Sequence, residues 1–150
     1  MTVEFVPATP AHVGTLAERM RQWDRIEQAA LGRSPKQALR AGLRQSIDVF
    51  TAKVNGRPEA MLGLAPLSAI ERSGCPWMLG TDVIYQQGRA LLDAGPDFIA
   101  RWRDSTRNLS NVVARDNDRA LRLLRRWGFM IDPEAQSIGG LAFVAFSMGD

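Results

Sequence analysis

Glu59, Asp82 and Tyr85 are the side chains whose types and places in this sequence could move protons during a reaction. Glu59 lies just past an Asn55-Gly56 turn and Asp82 ends an apolar run, so either carboxylate is a candidate general base. Tyr85 is the lone tyrosine, a phenol that can donate or accept a proton. Solvation at the surface is the ordinary account of the two carboxylates, and packing in a turn that of the tyrosine. His12, the lone histidine, sits near the start of the first helix, where a cap or surface role is favoured over a base or a ligand. Cys75 has no histidine or acidic partner in a nucleophile motif, and Pro76 beside it suggests a turn. No cluster has the spacing of a zinc, calcium or iron site, so no metal is expected.

These residues must be positioned by elements that the sequence punctuates clearly. Residues 3–6 alternate as a short strand, and Thr9-Pro10 supplies a helix cap with a first-turn proline. Val13, Leu16, Ala17 and Met20 recur at helical spacing, which predicts a helix to about residue 22 with that stripe buried. Residues 23–30 fit a bend or a second short helix equally well. Ser34-Pro35-Lys36-Gln37 is a capping box, and Ala38, Leu39, Leu43 and Ile47 form the buried stripe of the helix after it. Gly42 interrupts that helix, as expected where another backbone packs closely.

Asn55-Gly56 joins strands at 49–54 and 58–64, because both residues tolerate positive φ. Residues 66–74 read as a linker and 76–82 as an apolar strand ending in small and polar residues. A short helix is expected at 84–93, a break at Gly95-Pro96 and a better helix at 97–107. A strand at 109–114, a helix at 117–127 stopped by Gly128, and strands at 129–131 and 141–147 follow, the last two separated by Pro133 and Gly139-Gly140. This order predicts an α/β fold with a mixed central sheet flanked by helices, in one domain over residues 1–150.

With 150 residues the chain can build a core without staples, and its lone cysteine rules out an intrachain disulfide framework and fits a reducing compartment. No signal peptide is legible at the start, and no apolar run is long enough to span a membrane. The net charge of +3 is modest. Much of the excess lies along one helix and its flanks, at Arg107, Arg115, Arg119, Arg122, Arg125 and Arg126. Such a face suits a polyanionic nucleotide or solvent, and lacks the motif of a nucleic-acid reader, so nucleic acid is disfavoured as a partner. Trp23, Trp77, Trp102 and Trp127 fit core seals, with an oligomer or assembly interface as the other use.

The run from Asn117 through Ala120, Leu123 and Leu124 to Gly128-Phe129 resembles the cofactor-binding half of GNAT-type N-acyltransferases, in which an Asn opens a helix that ends in Gly-Phe. The element order resembles that fold over nearly the whole chain. More narrowly, four blocks together resemble a family of tailed-phage proteins with a GNAT-like fold that includes an internal virion protein of short-tailed phages. They are residues 7–12, Pro76-Trp77-Met78-Leu79-Gly80-Thr81-Asp82, residues 108–117, and Leu123 to Phe129.

The resemblance implies a GNAT-like fold and acetyl-CoA as cofactor. Its pantetheine arm would lie between strands at 79–82 and 109–113, its pyrophosphate on turn amides at 83–90, and Asn117 would contact it. The implied binding residues are thus Leu79, Thr81, Val83, Gly88, Arg89, Ala90 and Asn117. Two departures stand out: Tyr85 occupies the position of the family's Gln or Arg before Gly88-Arg89-Ala90, and Leu124 stands where the family's proton-donating tyrosine would be. Glu59, Asp82 and Tyr85 are left as the candidate catalytic groups.

Two functions follow from the resemblance. One is a phage-encoded N-acetyltransferase acting on an unidentified amine. The other is a non-catalytic virion or assembly protein, with phage proteins or further copies of itself as partners. Either implies the host cytoplasm, and the second also packaging in the virion.

Overall fold

Alternating apolar residues and tight turns build the centre of the molecule. In the computed structural model, residues 2–149 are described. The strands are β1 (Val3–Pro7), β2 (Asp48–Val54), β3 (Arg57–Ser68), β4 (Ser73–Gly80), β5 (Asn108–Ala114), β6 (Met130–Ile138) and β7 (Leu141–Gly149). They form one seven-stranded sheet in the order β1-β2-β3-β4-β5-β7-β6. Neighbours are antiparallel except β4 and β5, which run parallel. Asn55 and Gly56 take φ of 51° and 82°, and so make the β2–β3 hairpin their sequence announces.

The helices are α1 (Val13–Arg19), α2 (Gln22–Ala30), α3 (Pro35–Gln45), α4 (Asp82–Gln86), α5 (Gly88–Arg103) and α6 (Asp118–Arg126), with a tight helical turn at Pro10–His12 before α1. Leu16, Ala17 and Met20 pack with Ala38 and Leu39 of α3 against Met61 and Leu79 on one face of the sheet. Ile99 and Trp102 of α5 and Leu121 of α6 pack with Leu62, Leu64, Phe129 and Phe146 on the other. Met61 and Leu62 are neighbours in sequence and serve opposite layers, as strand alternation requires. The Ser34 capping box is formed, and His12 Nδ1 accepts from the Thr9 amide, so the lone histidine is a cap.

Four expectations are corrected. Residues 66–74 are not a linker: β3 runs to Ser68 and β4 starts at Ser73, making a long hairpin. Gly95-Pro96 does not end a helix, because α5 continues through it. A residue before proline is held out of helical backbone partly by its Cβ, and Gly95 has none. Its bare α-carbon also lets the Trp127 ring lie against it, 2.1 Å from where a Cβ would sit. Pro133 lies inside β6, at an irregularity in the β6–β7 register, where no ladder bond is asked of it. The neighbour that Gly42 admits is the Trp77 ring rather than another backbone.

Candidate functional site

A split in the sheet creates the site. β4 and β5 pair only at Ser73 with Asn108 and Gly74 with Leu109, and beyond that they diverge. Pro76 is one cause, since it has no N–H to offer β5. The side chain of Asn111 fills the missing rung: its Nδ2 donates to the Pro76 carbonyl at 2.9 Å while its Oδ1 accepts from the Val112 amide at 2.7 Å. At the far end of the split the Gly80 amide donates to Asp24 Oδ2 at 2.9 Å, and the Gly80 carbonyl accepts from the Arg21 amide at 2.8 Å. Backbone groups alternate along a strand, so the N–H and C=O of Met78, midway between Pro76 and Gly80, point into the gap.

The α2 helix clasps both strands. Asp24 and Glu27 are three residues apart and share one face. Asp24 holds the end of β4, and Glu27 Oε2 holds the end of β5 by accepting from the Ala114 amide at 2.8 Å. Glu27 Oε2 also accepts from Asn117 Nδ2 at 3.1 Å, and Arg21 bridges from Asp24 Oδ1 at 2.9 Å to Asn117 Oδ1 at 3.3 Å. The Arg21 guanidinium lies over the Tyr85 ring, 4.3 Å from its centre. Arg119 approaches the same ring and donates to the Tyr85 carbonyl at 3.1 Å.

Burial dominates the electrostatics of this cluster. It pushes Asp24 up to about 7, against the opposing pull of Arg21 and the Gly80 amide. It also raises Glu27, partly offset by the Ala114 amide and Asn117. Burial and the Asp24 charge raise Tyr85, which therefore stays a phenol. Glu27 Oε1 has no hydrogen-bond partner among the described residues. A buried carboxyl held by one oxygen, with the other free, can take up a proton at a higher pH than an ordinary carboxylate does.

A cleft of about 570 Å³ runs along the split, lined by Asp24, Glu27, Met78, Leu79, Tyr85, Val113, Asn117, Ala120 and Leu124 among others. Its other end passes Arg33, Gln45 and Leu67. Of the sequence-predicted residues, Leu79, Tyr85 and Asn117 line it. Thr81, Val83, Gly88, Arg89 and Ala90 do not. The stretch expected as a turn at 83–90 with a short helix over 84–93 is α4 followed by the start of α5.

Thr81 caps α4 by accepting from the Val83 amide. No side chain caps α5, and Leu91 is the first residue whose amide reaches back, to Gln87. The amides of Gly88, Arg89 and Ala90 thus have no helical partners, as at any helix start. A Cβ on Gly88 would meet nothing within 4 Å.

Two catalytic expectations are corrected. Glu59 is buried rather than solvated, but away from the cleft. Its carboxylate takes hydrogen bonds from Thr81 Oγ1 and Arg19 at 2.6 Å each and from Arg57 at 3.0 Å. Those bonds outweigh burial and hold it below the usual carboxylate range, which suits an anchor and not a base. Asp82 is exposed in the first turn of α4 and off the cleft. Cys75 lines the cleft as an inert thiol, raised to about 11 by burial. Among the described residues no group of three His, Cys, Asp or Glu side chains could hold a metal ion.

Arg21, Asp24 and Glu27 lie outside every motif, and Met78 and Asn111, though inside two of the resembling blocks, carried no role there. The three-residue spacing of Asp24 and Glu27 was visible, but a charged helix face is ordinarily solvated. Only the packing of α2 over the split turns it inward.

No protein-family model matches the chain, and no curated protein matches it in sequence. Solved structures do. RimL, a ribosomal L7/L12 alpha-N-protein acetyltransferase in complex with coenzyme A, superposes with a TM-score of 0.68 at 12% identity, covering 99% of this chain and 94% of that one. A ribosomal-protein-alanine N-acetyltransferase from Brucella melitensis gives 0.68 at 16% identity, over 98% and 99%. The aminoglycoside acetyltransferase AAC(6')-Ib in complex with coenzyme A gives 0.66 at 12% identity, over 99% and 95%. The chain has the GNAT acetyltransferase fold, an α/β architecture with a mixed central sheet flanked by helices.

Proposed function

We propose that the protein is an acyl-CoA-dependent N-acyltransferase, with acetyl-CoA as its simplest donor and an amine as acceptor. The observation that carries this reading is the open gap between β4 and β5, with the Met78 backbone groups facing into it and Glu27 on its rim. Met78 would bind the pantetheine arm as a strand binds a neighbour, and Ala120 is small enough to let it pass. The uncapped start of α5 at Gly88, Arg89 and Ala90 would receive the pyrophosphate, with Arg119 nearby. The residues present therefore fit the cofactor.

When bound, acyl-CoA supplies an activated thioester whose C–S bond breaks as the C–N bond to the amine forms, the amine losing a proton and the departing sulfur gaining one. Glu27 takes the amine proton on Oε1, while the Ala114 amide and Asn117 fix its other oxygen. Asp24 and Arg21 are positioning residues that hold α2 on β4. Tyr85, kept protonated and lining the same cleft, is the proton source that Leu124 cannot be.

Replacing Glu27 with Gln is expected to lower kcat by roughly 10²-fold or more with KM little changed. The base works only when ionised, so kcat rises with pH through the raised Glu27 value, above the range of an ordinary carboxylate. A Glu27→Gln enzyme with wild-type kcat would remove Glu27 from the mechanism.

A non-catalytic assembly role is the second reading, favoured by Leu124 at the tyrosine position and by the engagement of Asn117 with Arg21 and Glu27. Calorimetry with acetyl-CoA separates the two. Wild type is expected to bind, and Gly88→Phe, whose Cβ would meet nothing within 4 Å, to stay folded and lose at least about tenfold in affinity. No binding by wild type would overturn the enzyme reading in favour of a phage virion or assembly protein, active through association with itself or other phage proteins. We place the protein in the host cytoplasm in the first case, and packaged in the virion in the second.

A further inference from the structure

The cleft does not stop at the sheet. On the α5 side of the split lies a second cavity of about 70 Å³. Pro76, Trp77, Met78, Leu124, Trp127 and Phe146 line both spaces, so the two adjoin through the gap between β4 and β5. The rest of its wall is apolar too: Phe5 and Leu62 from the sheet, Leu91, Phe98 and Trp102 from α5, and Phe129. Gly95 contributes by admitting the Trp127 ring that forms one side.

Native cores keep few voids larger than a water molecule, and this one has room for on the order of five water-sized groups. Its lining is almost wholly apolar, and the Trp127 Nε1, buried without a hydrogen-bond partner among the described residues, lies against Gly95. It lies directly beyond Met78, the strand position whose backbone groups face the proposed path of the pantetheine arm.

We infer that the site takes an acyl group longer than acetyl, a straight chain of about four to six carbons that passes between β4 and β5 into the apolar cavity against α5. This rests on the reading of the cleft as an acyl-CoA site. A hydrocarbon chain is the occupant that fits because the cavity is walled almost wholly by apolar side chains of the sheet, α5 and α6 and shares part of that wall with the cleft. An acetyl group would leave it empty.

Calorimetry of the wild-type protein with CoA and with acetyl-, butyryl-, hexanoyl- and decanoyl-CoA tests this. Affinity is expected to rise by about fourfold for each added methylene up to roughly hexanoyl and then level off. In Ala94→Leu, which puts a larger side chain into the cavity wall, the rise should flatten while affinity for CoA itself stays within about twofold.

A flat chain-length series with intact CoA binding overturns the acyl-chain inference alone. Failure of CoA and of every thioester to bind overturns the acyltransferase reading and this inference together. A rise that continues unbroken to decanoyl-CoA, or that persists unchanged in a folded Ala94→Leu protein, shows adsorption to exposed apolar surface and also overturns it. Should Ala94→Leu fail to fold, the wild-type series still decides.

Discussion

Glu59 and Asp24 are two buried carboxyl groups with opposite fates, set by what each can reach. Glu59 meets two guanidinium groups and a hydroxyl and stays ionised as an anchor for the β3–β4 end. Asp24 meets one arginine and one amide, which do not repay its burial, and is pushed up to about 7. Because the folded value lies above the ordinary 3.8, the folded state holds this proton more tightly than the unfolded chain does. The associated stability is full below the ordinary value, declines as pH rises, and is lost above about 7. Glu59, shifted downward, contributes in the opposite sense: its share is present above the ordinary value and is lost as pH falls through its depressed one. Asp24→Asn, which keeps an acceptor for the Gly80 amide, is therefore expected to lose less stability than wild type between about pH 5 and about pH 7.5 in urea unfolding. Identical pH dependence in the two proteins would mean that Asp24 is not the titrating group.

Elements came out of the sequence wherever a local rule decided them. The capping box at Ser34, the Asn55-Gly56 hairpin and the Gly128 stop all depend on residues within one turn of each other, and all are where the sequence puts them. Two of the errors arose where a distant ring lay against a local breaker. Gly95-Pro96 reads as a break until Trp127 is placed against it, and Gly42 reads as a weak point until Trp77 is. The same cause hid half of the site. Of the residues that line the cleft, Leu79 and Asn117 were singled out by the resemblance and Tyr85 as the lone tyrosine, but Asp24, Glu27 and Asn111 act through partners some 35 to 90 residues away. Gly42→Ala tests the packing argument. An added Cβ would come within 2.4 Å of the Trp77 ring, which is tethered by its Nε1 donating to Ser46 Oγ at 2.8 Å. Overpacking of about 1–3 kcal/mol should outweigh the gain of up to about 1 kcal/mol in helix propensity. A rise in the unfolding midpoint would show that Trp77 moves aside at no cost.

Taken whole, the molecule is two half-sheets, β1 to β4 and β5 to β7, joined by two register pairs, one asparagine side chain and the carboxylates of α2. Among the described residues no helix is long and apolar enough to cross a membrane. The α2 clasp carries much of the connection at the open end, so replacing both Asp24 and Glu27 with Ala should free the Gly80 and Ala114 amides. Hydrogen exchange at those two positions is expected to speed up by more than that of the β2–β3 ladder, which the substitutions do not touch. Equal acceleration everywhere would mean that the clasp stabilises the fold as a whole and does not hinge the two halves.

Trp77 and Trp127 also stand on opposite layers, one against Gly42 of α3 and the other against Gly95 of α5, while both border the cleft and the cavity behind it. The protein thus carries its own optical reporters at the cleft and at the cavity behind it. Filling the split should change the tryptophan emission of the unlabelled chain, and the same titration can be followed in a cuvette before a product of any reaction has been identified.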